Sequence, residues 1–186
     1  RYDLRSFWQN PLMGVVLCFF DINALQDAVE TERSARGLSW AALRAEINVP
    51  FQGTPSIPIS VTTIRNMHAK RSVTSAVVLQ ILRWLGRSPE SFLSGRQTSP
   101  VLGETLAVGG PARILRFDTE AMHAALNAER GRRGMTWKQV VKELPGFTES
   151  MLTNLATGPL IGFPRVMMIP QWLGVPAANF VRERSR

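Results

Sequence analysis

From Asp21 onward the apolar positions Ile22, Leu25 and Val29 recur at helical spacing among alanines and charges. Asp21 or Asn23 is placed to cap that helix, and Arg36-Gly37 closes it, glycine being the usual residue past a helix C-terminus. Ser39 then caps a short second helix carrying Trp40, Leu43 and Ile47 on one side. Beyond a long loop, Ser60 or Thr62 starts a third helix with Ile64 and Met67 facing inward. Thr74 or Ser75 opens a fourth, Val77 to Leu85, which Gly86 stops, and Pro89 to Leu93 forms a short closing turn or helix. The same plan returns from Thr119 to Val181. No stretch alternates with period two, so the pattern predicts an all-α fold of two tandem five-helix bundles.

The two halves share residues as well as pattern. A shift of 97 positions superposes Phe20, Asp21, Arg33, Arg36-Gly37, Trp40 and Glu46 on Phe117, Asp118, Arg130, Arg133-Gly134, Trp137 and Glu143. A shift of 88 superposes Asn66, Trp84-Leu85-Gly86 and Phe92 on Asn154, Trp172-Leu173-Gly174 and Phe180. Solenoid repeats have periods of about 20–50 residues, so this spacing indicates a duplicated domain instead. The expected organisation is a lead-in over 1–16, a first domain over 17–94, a linker over 95–113, a second domain over 114–183 and a basic tail over 184–186. Each copy is about 70–80 residues, near the lower size at which a core suffices without staples. As a flexible coil, a linker of about 20 residues has an r.m.s. span near 25 Å and reaches further when stretched.

Composition narrows the function classes. The 186 residues carry a formal charge of +8, with a pI near 11.1, which favours polyanionic partners. Cys18 is the single cysteine, which points to a reducing compartment and to neither disulfide nor structural zinc. The apolar run Pro11 to Phe20 is about half the length needed to cross a bilayer, and no small-x-small cleavage pattern follows it. It is read as a packed lead-in strand or helix, and the protein as cytoplasmic, without a membrane partner.

Arg-x-x-Arg-Gly-(Leu/Met)-(Ser/Thr)-Trp-x-x-(Leu/Val)-x-x-Glu-(Ile/Leu) occurs in both copies. Each is followed by an Ile/Leu-x-Asn-Met/Leu helix and a Trp-Leu-Gly helix end. In these features the chain resembles the lambda-repressor/Cro-like helix-turn-helix family of bacterial transcriptional regulators, over nearly all of 20–93 and 117–181. The resemblance implies that each third helix lies in the major groove of a DNA duplex with its N-terminal residues at base edges. Carried onto the first copy, Thr62, Thr63, Arg65 and Asn66 become the outward-facing readers, with Lys70 and Arg71 placed for phosphates. No acidic residue falls between Glu46 and Glu90, whereas Arg65, Lys70, Arg71, Arg83 and Arg87 do, so this copy is expected to present a basic face.

The corresponding positions of the second copy are Thr148, Ser150, Thr153 and Asn154, on a third helix that has no basic residue and carries Glu149 near its start. Arg165 is the sole charge from Ser150 to Val181, and the apolar stretch Leu160 to Trp172 reads equally as core or as a surface for another protein. Its two prolines should shorten the fourth helix. Basic groups of this copy sit earlier, at Arg130, Arg132, Arg133, Lys138 and Lys142. The first copy departs differently: Asn48 to Ile59 lengthens the turn before its third helix by nine residues, and Arg44 stands where the family keeps a small or apolar residue.

Retention of Arg33 with Glu46, and of Arg130 with Glu143, suggests an ion pair tying the first helix to the second in each copy. The four repeated tryptophans read as core or half-core wedges, and His123 as an ordinary surface histidine. No nucleophile elbow, phosphate loop or zinc-protease motif is present, so neither an enzyme nor a bound cofactor or metal is expected. The sequence therefore indicates a sequence-specific regulator of double-stranded DNA, with the first copy as main reader and the second touching DNA, another protein or a second copy of the chain. The rival is a protein-interaction adaptor built on degenerate helix-turn-helix domains.

Overall fold

A computed structural model describes residues 17–70, 72–94, 103–106, 110–158 and 161–184. The expected lead-in 1–16 and the candidate phosphate contact Arg71 lie outside these residues. The chain is mostly helical. The first copy comprises β1 (Phe19–Phe20), α1 (Ile22–Ala35), α2 (Trp40–Ile47), α3 (Val61–Arg65), α4 (Ser75–Leu85) and β2 (Leu93–Ser94). The second comprises β3 (Ile114–Phe117), α5 (Thr119–Arg132), α6 (Trp137–Glu143), α7 (Glu149–Thr153), α8 (Phe163–Val166), α9 (Met168–Leu173) and β4 (Val181–Arg184).

Helix starts follow from side-chain capping. The Asp21, Ser39 and Ser60 oxygens accept from the amides of Ala24, Ala42 and Thr63. Asp118, Thr136 and Thr148 do the same for Ala121, Gln139 and Met151. Each supplies an acceptor to an amide that has no intrahelical partner. Gly86 and Gly174 end the fourth helices with φ of 63° and 70°, a left-handed conformation that suits glycine.

Three features depart from the expected all-α plan. Each copy closes with a short antiparallel pair, Phe19↔Ser94 and Phe20↔Leu93 in the first, Ile114↔Arg184 through Phe117↔Val181 in the second. Runs of two to four residues are too short to display a period of two. The first copy's third helix is interrupted at Asn66 (φ −117°, ψ 25°) and continues as a 3₁₀ turn over Met67–Ala69. In the second copy the fourth helix is split into α8 and α9 at Met167. Pro164 and Pro170 each fall in a first turn, where an amide donor is not needed.

The two copies pack directly on each other, and the exchange is reciprocal. Buried Gln80 of α4 takes hold of the backbone at Leu115 in β3, donating to its carbonyl at 3.1 Å and accepting from its amide at 3.4 Å. Buried Gln171 of α9 does the same to Cys18, beside β1, at 3.0 and 2.8 Å. Cys18 and Leu115 are equivalent under the 97-residue shift. The Phe163 ring receives the two repeat-opening phenylalanines, Phe20 at 4.7 Å and Phe117 at 5.7 Å between centroids. The Phe163 amide donates to Val73 O at 2.9 Å, and the Ala177 amide donates to Glu90 Oε1 at 2.6 Å. One continuous hydrophobic cluster runs through both halves. Bundles this small have little interior of their own, and a shared seam increases the buried fraction.

Candidate nucleic-acid interface

In the first copy, the residues expected inward and outward on the third helix are separated by its packing. Ile64 and Met67 are fully buried, whereas Thr62, Arg65, Asn66, His68 and Lys70 are exposed and Thr63 half-buried. The Ser60 hydroxyl donates to Thr63 Oγ1 at 3.0 Å, and Lys70 Nζ donates to the same oxygen at 3.3 Å, holding the lysine over the helix start. The Arg65 guanidinium lies 5.3 Å from the centre of the Trp40 ring, which Arg33 also faces at 4.8 Å. No carboxylate forms an ion pair with Arg65 or Lys70 among the described residues. The edge of α3 therefore presents two cations beside a hydroxyl and an amide, with Arg65 in electrostatic reach of Glu30, whose pKa it helps the Arg33 hydrogen bond to lower.

The long turn is ordered by one side chain. Asn48, buried at the end of α2, donates from Nδ2 to Ile59 O at 2.8 Å and to Arg44 O at 2.9 Å, and accepts from the Ile59 amide at 2.7 Å. Arg44 Nε donates to the same Ile59 carbonyl at 3.3 Å. Asn48 thus does for this copy what a short turn does in the other, fixing the entry to α3 despite the inserted residues. Arg44 serves the same closure.

Two electrostatic expectations are overturned. Arg33 does not pair with Glu46, nor Arg130 with Glu143. Arg33 bonds Glu30 through Nε at 2.9 Å and Nη2 at 2.5 Å and donates to Leu38 O at 2.6 Å. Its hydrogen bond to Glu30 holds that carboxyl below its ordinary range and raises the guanidinium. Arg130 likewise donates to Met135 O at 2.8 Å and lies 5.0 Å from the Trp137 ring. The glutamate instead accepts from the repeated tryptophan of the fourth-helix position: Trp84 Nε1 to Glu46 at 2.8 Å, Trp172 Nε1 to Glu143 at 2.7 Å. The second arginine of the Arg-x-x-Arg-Gly motif completes each cluster, Arg36 to Glu46 at 2.9 Å and Arg133 to Glu143 at 3.4 Å. The sequence shows every member of this cluster twice. Its pairing was hidden because Arg33 and Arg36 sit one helical turn apart and spacing alone does not choose between them.

Arg83, counted with the basic face, belongs to the seam. Its side chain is 7 % exposed, donates to Arg113 O at 2.7 Å and meets Glu183 at 3.4 Å. Burial lowers its pKa from the usual arginine value.

The second copy is chemically different. Thr148, Ser150, Thr153 and Asn154 are exposed, but Asn154 turns its amide onto its own helix, donating to Ser150 O at 2.9 Å and Ser150 Oγ at 3.2 Å. Glu149 is exposed beside them. Arg132 and Arg133 are engaged by Glu129, which the Arg132 and Arg133 hydrogen bonds hold at a pKa of about 2. Lys138 and Lys142 are exposed. His123, read as an ordinary surface histidine, stacks on Trp137 at 5.9 Å. The apolar stretch after α7 is largely interior, with Phe163, Val166, Met167, Met168, Ile169 and Trp172 buried.

Comparison with known proteins gives no match: no family model fits the chain, and no curated protein or solved structure is similar to it. Among the described residues no three His, Cys, Asp or Glu side chains gather as a metal site, and no helix is long and apolar enough to cross a membrane.

Proposed function

We propose that this chain is a sequence-specific double-stranded DNA-binding transcriptional regulator whose first copy supplies the principal base contacts. The observation that carries this reading is the exposed edge of α3. Ile64 and Met67 anchor one side in the core while Arg65, Asn66 and Lys70 stand exposed on the other, neither cation in an ion pair among the described residues. Arginine bonds guanine bidentately and asparagine bonds adenine bidentately, so Arg65 and Asn66 are the chemistry of base-edge readout. Lys70 contributes phosphate neutralisation. The resemblance in the repeated motifs, the two-helix unit ending in α3 and the +8 charge all favour the same partner. Because the copies are packed against each other, the separation of their third helices is set by the seam rather than by the linker.

Selection of bound duplexes from a random pool, followed by titration across salt, tests the proposal. Arg65→Ala should cost about 1–3 kcal/mol on the selected site and relax preference at one base pair. Lys70→Ala should weaken all sequences alike and lower the log–log salt slope by about one. Absence of salt-sensitive binding to any duplex would sink the reading. The adaptor alternative draws on one observation, the absence of any cation on α7, whose exposed face is Glu149, Ser150 and Thr153. Under it, neither substitution changes partner capture.

A further inference from the structure

Ser150 and Asn154, the second copy's counterparts of base-reading residues, border a groove of about 740 Å³ that opens along the seam. Its walls come from both copies: Phe19, Phe20 and Ser72 from the first, and Met151, Ile161, Pro164 and Met168 among others from the second. That volume lies within the range of small-molecule sites, which are about 300–1,000 Å³. Most of the lining is apolar. Phe19 is 61 % exposed, one of only two large hydrophobic residues left in solvent among the described residues. Two methionines supply flexible, polarisable walls that adapt to an apolar guest.

One lining residue is charged. Arg165, in the α8 segment, has no carboxylate within ion-pair distance among the described residues, and the partner of its Nη1 is the Met151 sulfur at 4.0 Å. Other arginines of this copy are engaged differently: Arg132, Arg133 and Arg182 pair with carboxylates, Arg130 bonds Asn127 and Arg116 bonds the Leu115 carbonyl. An exposed guanidinium at the edge of an apolar groove, with one donor on the thioether, keeps four further donors and favours a planar anion over a neutral guest. Ser72, Ser150 and Asn154 are the polar uncharged side chains of the lining. The nearest acidic residue in sequence to the α7 wall, Glu149, is not among the lining groups.

We infer that this groove is a binding site for a small apolar monocarboxylate, its carboxylate on Arg165 and its hydrocarbon body between Phe19 and the two methionines. The inference stands apart from the DNA reading of α3, since Arg165, Phe19 and the two methionines play no part in that reading and the test uses no nucleic acid. It assigns to the α7 wall a ligand role in place of the cationic one α7 lacks. A guest here touches both copies at once, α7 on one side and β1 on the other, so occupancy stabilises the seam.

The test uses the full chain labelled with ¹³C at the methionine methyls. It is titrated with 1-naphthylacetate and separately with its neutral counterpart 1-naphthaleneethanol. The expected result is saturable movement of the Met151 and Met168 signals, with the acid bound roughly tenfold more tightly than the alcohol. Arg165→Gln should abolish that preference while leaving alcohol binding in place, and Phe19→Ser should weaken both guests. The Trp84 and Trp172 indole signals report whether each variant keeps its fold. Equal affinity for acid and alcohol in the unsubstituted chain overturns the assignment, as does movement of methionines elsewhere without Met151 and Met168.

Discussion

Replacing Glu143 separates two contributions that the repeated Arg–Glu–Trp cluster combines. Trp172 is 1 % exposed, and its indole N–H has the Glu143 carboxylate as its acceptor at 2.7 Å. Glu143→Ala strands that buried donor, at a cost of about 2–3 kcal/mol, the upper part of the range because the lost acceptor is charged. Glu143→Gln keeps an oxygen in reach and removes only the charge. Arg133 is 3.4 Å away and retains Glu129, so this loss is a solvent-screened pair worth about 1 kcal/mol or less. For a chain of this size 1 kcal/mol moves Tm by about 2–4 °C, which gives a fall of roughly 4–12 °C for alanine and under about 4 °C for glutamine. Thermal unfolding followed by circular dichroism reads both. A cycle with Trp172→Phe, which deletes the donor and keeps the ring, should recover at least about 1 kcal/mol of coupling. Equal losses for alanine and glutamine, or strict additivity in the cycle, would refute the argument that the indole bond carries the cluster.

Other consequences follow from the same geometry. Asn48→Ala removes both the donor and the acceptor that close the long turn onto Ile59, and should cost about 1–3 kcal/mol in denaturant unfolding, with α3 losing amide protection first. Arg83→Met should leave stability within about 1 kcal/mol, because the guanidinium is desolvated, its Nε has no partner, and Glu183 keeps Arg113 at 3.0 Å; a much larger loss in Tm would show the buried pair to be net favourable. Glu129 has its pKa lowered from 4.5 to about 2, chiefly by the Arg132 hydrogen bond, so its contribution is complete above pH 4.5 and disappears as pH falls toward 2. Glu129→Gln should therefore flatten the fall of Tm across that interval, and an unchanged acid limb would count against the pairing.

Helix positions were legible because their determinants are local. Asp21, Ser39 and Ser60 cap where capping residues precede apolar periodicity, and Gly86 and Gly174 stop where a left-handed residue is required. The outward set on α3 was legible for the same reason: once Ile64 and Met67 point inward, Arg65 and Asn66 have only the opposite side. The partner of Glu46 and Glu143 was not legible, since Arg33 and Arg36 lie on adjacent turns and only the rotation of α1 against α2 brings Arg36 to the glutamate. Arg83 was misplaced because charge counting along the chain does not reveal that α4 turns this residue toward the other copy.

By itself the sequence determined that one helical plan occurs twice, where the capped helices start, and which side of α3 faces water. These are set by residues within a few positions of one another. Tertiary structure alone decided that the copies interlock through Gln80, Gln171 and Phe163, and that a groove with a lone guanidinium opens along their seam. Those contacts join residues between 35 and 153 positions apart, where no local periodicity reports which faces will meet.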